Sequence, residues 1–122
     1  MGGAVVGDDL ACCGRRLYPA GTSHEPFRRM AESLLAAPPD PTRGSPIAER
    51  RARLLALAAA SGAKGVVFWD VKFCEPELFD LPLLRRGLEQ AGLPSLALEV
   101  DLNDAPSHQL LTRLEAFLEM LA

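Results

Sequence analysis

The sequence predicts a small three-layer α/β/α domain built on a short parallel sheet. Two observations carry that reading. Apolar runs at residues 4–6, 66–69 and 96–100 are each followed by a longer segment with helical spacing, which is a βαβ rhythm. The runs are apolar throughout rather than alternating, as in strands covered on both faces.

The elements follow in order. Residues 4–6 are read as the first strand, and a helical pattern over residues 23–36 places Phe27, Met30 and Leu34 on one face. "APPDPTRGSP" ends it, because prolines at 38, 39 and 41 cannot continue a helix. Ser45-Pro46 offers an N-cap followed by proline at the first helical position, and an alanine- and leucine-rich helix runs to Gly62. Lys64-Gly65 turns into the second strand. Asp80 reads as the next N-cap with Pro82 in the first turn; Leu81, Leu84, Leu88 and Ala91 then share a face until Gly92 and Pro94 stop the helix. After the third strand, Leu110, Leu114, Phe117 and Leu121 recur beside Leu111 and Leu118, with Arg113, Glu115 and Glu119 opposite. The expected architecture is half of a Rossmann-like or flavodoxin-like sheet, as one domain over residues 1–122.

A chain of 122 residues, 48% hydrophobic, can bury one real core. Its net charge of −3 supplies no broad positive field, which argues against nucleic-acid or anionic-membrane binding. No apolar stretch approaches the roughly 20 residues of a membrane span, and the Met-Gly-Gly start lacks a basic segment leading into a long apolar one, so a cytoplasmic location is expected. Three cysteines, two of them adjacent, do not make a secreted disulfide framework.

In a parallel sheet, ligands gather at the carboxyl ends of the strands. The loops on that edge are "GDDLACCGRR", "DVKFCEPELF" and "DLNDAPSH". They carry the candidate residues: Asp8, Asp9, Arg15 and Asn103 for holding a ligand, Lys72 for catalysis, and Cys74, Cys12 and Cys13 as metal ligands. A cysteine just past a buried strand is ordinarily a small core residue. Lys72 and a following helix N-terminus favour a thiolate at Cys74, while Glu75 and Glu77 oppose it. Adjacent side chains point in different directions, so Cys12 and Cys13 are a weak pair for one metal atom, and no Cys-x-x-Cys spacing occurs. Asp8-Asp9 can orient a ligand or simply cap a turn. His24 and His108 read as exposed residues near helix starts, and neither a dinucleotide fingerprint nor a GxxxxGK[ST] loop is present.

The run at residues 65–103 together with "QLLTRLEAFLEML" resembles the C-terminal domain of the 2-hydroxyacyl-CoA dehydratase and benzoyl-CoA reductase family. The resemblance rests on Lys72-Phe73-Cys74-Glu75-Pro76, on "FDLPLL" at residues 79–84, on Gln109 with residues 112–117 (TRLEAF), and on "DDLACCGRR" at residues 8–16. It implies paired homologous subunits, an acyl-CoA substrate, a [4Fe-4S] cluster held by cysteines, and a separate ATP-dependent activator protein that supplies one low-potential electron. The reaction implied is loss of water from a 2-hydroxyacyl-CoA to give an enoyl-CoA, or reduction of an aromatic acyl-CoA. By the same correspondence Cys74 is one cluster ligand; the family's other ligands lie upstream, and Cys12 or Cys13 in their place would leave a marginal site. The expectation is therefore a fragment or subunit of such a lyase, active only within a complete assembly. A non-catalytic domain that docks a partner subunit with Cys74 merely buried is the alternative, and a small thiol or zinc module built on the three cysteines is a third.

Overall fold

In the computed structural model, which describes residues 2–103 and 105–122, the chain forms four helices and two parallel strands. They run in the order α1 (Pro26–Leu35), α2 (Ile47–Ser61), β1 (Val66–Val71), α3 (Glu75–Gln90), β2 (Ser95–Val100) and α4 (His108–Leu121). The strands pair from Val66 opposite Ser95 to Val71 opposite Val100, and the ladder extends one residue further through the Lys72 N–H on the Val100 carbonyl at 2.9 Å. A small α/β domain is what the sequence predicts.

Local chemistry accounts for the ends of the helices. Glu25 caps α1 by accepting from the N–H groups of Phe27 and Arg28, and Arg43 closes its other end by donating to the carbonyls of Leu34 and Ala37 at 2.6 and 3.1 Å. Helix α2 stops at Gly62, whose φ of 65° lies in the left-handed region that glycine adopts freely. Ser107 caps α4 through the Leu110 N–H.

Alternation along the strands divides the interior into two faces. On one, Leu98 and Val100 are buried against Leu110 of α4, with Val71, Leu96 and Leu114 packed around them. Gly65 lies so near this layer that a Cβ there would stand 2.8 Å from Leu121 and 2.9 Å from Phe117. On the opposite face lies α3, whose Arg85 donates from Nε to the Ser95 hydroxyl at 3.4 Å, and α2 packs against α3. Helices α2 and α3 approach closely because residue 87 is glycine: the Arg51 side chain occupies the space a Cβ would need. Leu84 and Leu88 are buried on α3, and Leu88 is 0% exposed.

Three expectations are corrected. Residues 4–6 form no strand: Val5 is 91% exposed, and the segment is only three residues between glycines, whose backbones are costly to order. Asp80 is not an N-cap; α3 begins a turn and a half earlier at Glu75, with Cys74 as its N-cap and Pro82 inside it. Ser45 is not the N-cap of α2, which starts at Ile47 with Pro46 in the capping position; the apolar face of α1, with Phe27, Met30 and Leu34, is exposed.

Candidate functional site

The loops at the carboxyl ends of β1 and of the N-terminal segment meet over the first turn of α3, and charge holds them together. Arg15, in a short 3₁₀ turn at Gly14–Arg16, reaches three carboxylates: Glu77 at 2.5 Å, Asp40 at 3.2 Å and Asp9 at 3.3 Å. Arg50 of α2 bonds the other Glu77 oxygen at 2.6 Å and also Asp80, while Arg53 bonds Asp9 at 2.9 Å. Four chain segments, the N-terminal loop, the Asp40 loop, α2 and α3, are thereby tied together. The guanidinium groups of Arg15 and Arg50 are well shielded, at 11% and 4% side-chain exposure, whereas each carboxylate keeps some contact with water. Burial alone would make Arg15 easier to deprotonate. Glu77, Asp9 and Asp40 outweigh it and raise the pKa further above its ordinary value. At Asp40 burial opposes ionisation, but the Thr42 hydroxyl and N–H, together with Arg15, hold the carboxyl below the ordinary aspartate range.

Cys74 sits half-buried immediately beyond β1. Its carbonyl accepts from the N–H groups of Glu77 and Leu78, both at 3.1 Å, and its own N–H donates to the Val71 carbonyl at 3.1 Å. The turn is forced by Phe73, whose φ of 66° is in the left-handed region although the residue is not glycine. Such a conformation in a bulky side chain persists only where the surroundings hold it.

The remaining candidates are placed as follows. Asp8 caps the N-terminal turn: its Oδ1 accepts from Gly14 N–H at 2.7 Å and Leu10 N–H at 3.1 Å, and these two bonds lower its pKa. Asp9 and Arg15 belong to the ion-pair network. Lys72 and Asn103 are exposed, and the Asn103 N–H bonds the Asp101 carboxylate at 3.2 Å; Asp104 of that loop lies outside the described residues. Cys12 and Cys13 are exposed, but their sulfurs do not point apart. The turn closed by Cys13 N–H on the Leu10 carbonyl brings them to 3.5 Å, and the neighbouring Cys12 sulfur raises the Cys13 thiol pKa.

Among the described residues no three His, Cys, Asp or Glu side chains are grouped so as to hold a metal ion. The described residues of this chain therefore present no complete donor set for an iron–sulfur cluster. Asp40, Arg50, Arg53, Glu77 and Asp80 were not among the sequence candidates. The available signal was the spacing of Arg50 and Arg53 on α2 and of Glu77 and Asp80 on α3, each pair three residues apart on one helix face.

Comparison with known proteins agrees along nearly the whole chain. The family model described as 2-hydroxyglutaryl-CoA dehydratase, D-component, matches residues 1–121. The chain is 33% identical to the (R)-phenyllactyl-CoA dehydratase beta subunit of Clostridium sporogenes and 34% identical to the lactoyl-CoA dehydratase subunit beta of Anaerotignum propionicum, covering 97% of itself in both cases and 32% of each relative. It is 35% identical to the (R)-2-hydroxyglutaryl-CoA dehydratase subunit beta of Acidaminococcus fermentans over 53% of its length, and 17% of that relative. The chain thus spans about a third of the length of the first two relatives. It belongs to the 2-hydroxyglutaryl-CoA dehydratase D-component family.

Proposed function

We propose that these residues serve as the C-terminal α/β part of a 2-hydroxyacyl-CoA dehydratase subunit, in which Cys74 contributes one ligand to an iron–sulfur cluster whose other ligands lie elsewhere in the assembly. The observation that carries this reading is the position of Cys74: half-buried, at the carboxyl end of a parallel strand and at the N-terminus of a 16-residue helix. Helix N-termini favour anionic groups, and a thiolate is the form of cysteine that binds iron. A cluster bound there supplies electron transfer and an iron site for a thioester oxygen. The chain's own part is to orient one sulfur and to shield it from water. An acyl-CoA substrate, a homologous partner subunit and an ATP-dependent activator complete the proposed system, and the uncovered face of α1 (Phe27, Met30, Leu34) supports packing against further protein.

The test is anaerobic reconstitution of the chain, alone and with candidate partner chains, followed by iron and acid-labile sulfide analysis. Iron that binds to the assembly and is lost in Cys74→Ala, but retained in Cys12→Ala and Cys13→Ala, is the expected result. Iron content unaffected by Cys74→Ala overturns the assignment; zinc bound instead, lost with any of the three cysteines, indicates a zinc module.

A further inference from the structure

We infer that Glu77, gripped by Arg15 and Arg50, is the positioning residue for Cys74, and that Arg15 thereby couples the Cys12-Cys13 loop to the Cys74 turn. The inference rests on the reading of Cys74 given above for its functional meaning, but its geometry stands independently. Glu77 occupies the third helical position after Cys74, and its N–H bonds the Cys74 carbonyl at 3.1 Å. Its two carboxylate oxygens are taken by different cations from different elements, Arg15 at 2.5 Å and Arg50 at 2.6 Å. One residue is thus fixed by backbone to the thiol-bearing turn and by side chain to both a neighbouring loop and a neighbouring helix.

A carboxylate in the first turn of a helix is favourable in its own right; what sets Glu77 apart is that both of its oxygens are bound to shielded arginines while its N–H is bound to Cys74, next to a strained residue. Phe73, immediately before Cys74, is in the left-handed region while its ring is 90% exposed, so burial of its own side chain does not hold it there. Backbone bonds from the Cys74 N–H to the Val71 carbonyl at 3.1 Å and from the Glu75 N–H to the Phe73 carbonyl at 3.0 Å span it, and Glu77 is the residue of the first turn of α3 that ties this bonded turn to shielded cations. Asp80, one turn further along, makes its bond to Arg50 without any backbone link to Cys74, which makes it a matched control.

The experiment measures the iodoacetamide alkylation rate of Cys74 in the metal-free chain, in a Cys12→Ser/Cys13→Ser background, across pH. Glu77→Gln is expected to raise the rate about fivefold or more through local opening of the turn, whereas Asp80→Asn, compared at equal thermal midpoint, stays within about twofold of the parent. Arg15→Lys, which keeps a cation opposite Glu77, is expected to fall closer to the parent than Arg15→Met. Equal rates in Glu77→Gln and Asp80→Asn, or no change in either, overturn the inference. If Glu77→Gln unfolds the chain, the Arg15→Lys and Arg15→Met pair decides the matter by the same rate. Iron analysis of reconstituted wild-type assembly is run in parallel: absence of iron there counts against Cys74 as a ligand and leaves the alkylation result to judge positioning alone.

Discussion

Replacing Arg50 by methionine tests the ion-pair network most directly. The Arg50 side chain is 4% exposed and bonds two carboxylates, Glu77 and Asp80, whose side chains are 24% and 25% exposed. Breaking a fully buried pair costs roughly 3–5 kcal/mol, because the stranded charge cannot rehydrate. Here each acid is about a quarter exposed and Glu77 retains Arg15, so the expected loss is smaller, about 2–4 kcal/mol. Arg53→Met supplies the contrast. Among the described residues Arg53 bonds only Asp9, both partners are about a quarter exposed, and Asp9 keeps Arg15, which brings the expected cost to about 0.5–1 kcal/mol. In urea unfolding, with a slope of about 1–3 kcal/mol per molar, Arg50→Met should shift the midpoint by about 1–2 M and Arg53→Met by a few tenths. Adding Asp80→Asn to Arg50→Met should recover about 1 kcal/mol, since it removes the acid that lost its cation. Equal midpoint shifts for the two arginine variants, or no recovery on adding Asp80→Asn, would refute the assignment of buried charge to Arg50.

Three further outcomes follow from other parts of the fold. Burial, reinforced by the negative charges of Glu77 and Glu99 and opposed by Arg50, raises the pKa of Asp70. A carboxyl with a raised folded-state pKa costs stability above that pKa and loses the penalty as pH falls through it. Asp70→Asn should therefore stabilise the chain at neutral pH, by a margin that shrinks on acidification toward the ordinary aspartate value, as read by thermal midpoints across pH. Phe73→Gly relieves a left-handed conformation costing about 1–2 kcal/mol, offset by about 0.5–1 kcal/mol of glycine backbone entropy, and loses little burial because Phe73 is 90% exposed; urea titration should find stability unchanged or slightly raised. Leu88→Ala opens a cavity at a fully buried site and should cost about 3–4 kcal/mol in the same titration.

Elements whose sequence signal is local and dense were legible. Helix α4 has apolar residues at three- and four-residue steps over its whole length, and Leu110 and Phe117 are buried where that pattern puts them. β1 and β2 begin within a residue of the apolar runs that predict them. Misplacement occurred where tertiary contacts decide. Pro82 made Asp80 look like a helix start, yet α3 runs through it. A proline inside a helix costs about 3 kcal/mol, and the turns before Pro82 are supported by Glu77 and Asp80, bound to cations from segments distant in sequence. Residues 4–6 have strand-forming side chains but no partner to pair with among the described residues, and propensity does not supply one. The network itself was invisible because its acids and bases lie up to 62 residues apart, and sequence spacing reports only neighbours on the same element.

The two faces of the sheet are therefore held by different forces, and this bears on how the proposed site responds to its surroundings. The α4 side is hydrocarbon, with Leu98, Val100 and Leu110 buried together. The α2 and α3 side, where the Cys74 turn and the N-terminal loop meet, buries Leu84 and Leu88 and adds to them the ion pairs of Asp9, Asp40, Glu77 and Asp80 with Arg15, Arg50 and Arg53. Asp40, with its pKa held below the ordinary aspartate value, contributes stability that is present above that value and is lost as pH falls through its folded-state pKa. Acid should loosen the loops around Arg15 before it loosens the strands, because protonating Asp40 removes one of the bonds that hold Arg15 over the first turn of α3 and leaves the apolar packing intact. Amide exchange followed at falling pH distinguishes this order from a single cooperative loss: protection in the first turn of α3 must decline while that of β2 persists. Simultaneous decline in both would mean that the ionic side is not a separate unit, and the case for Glu77 as a local restraint on Cys74 would fall with it.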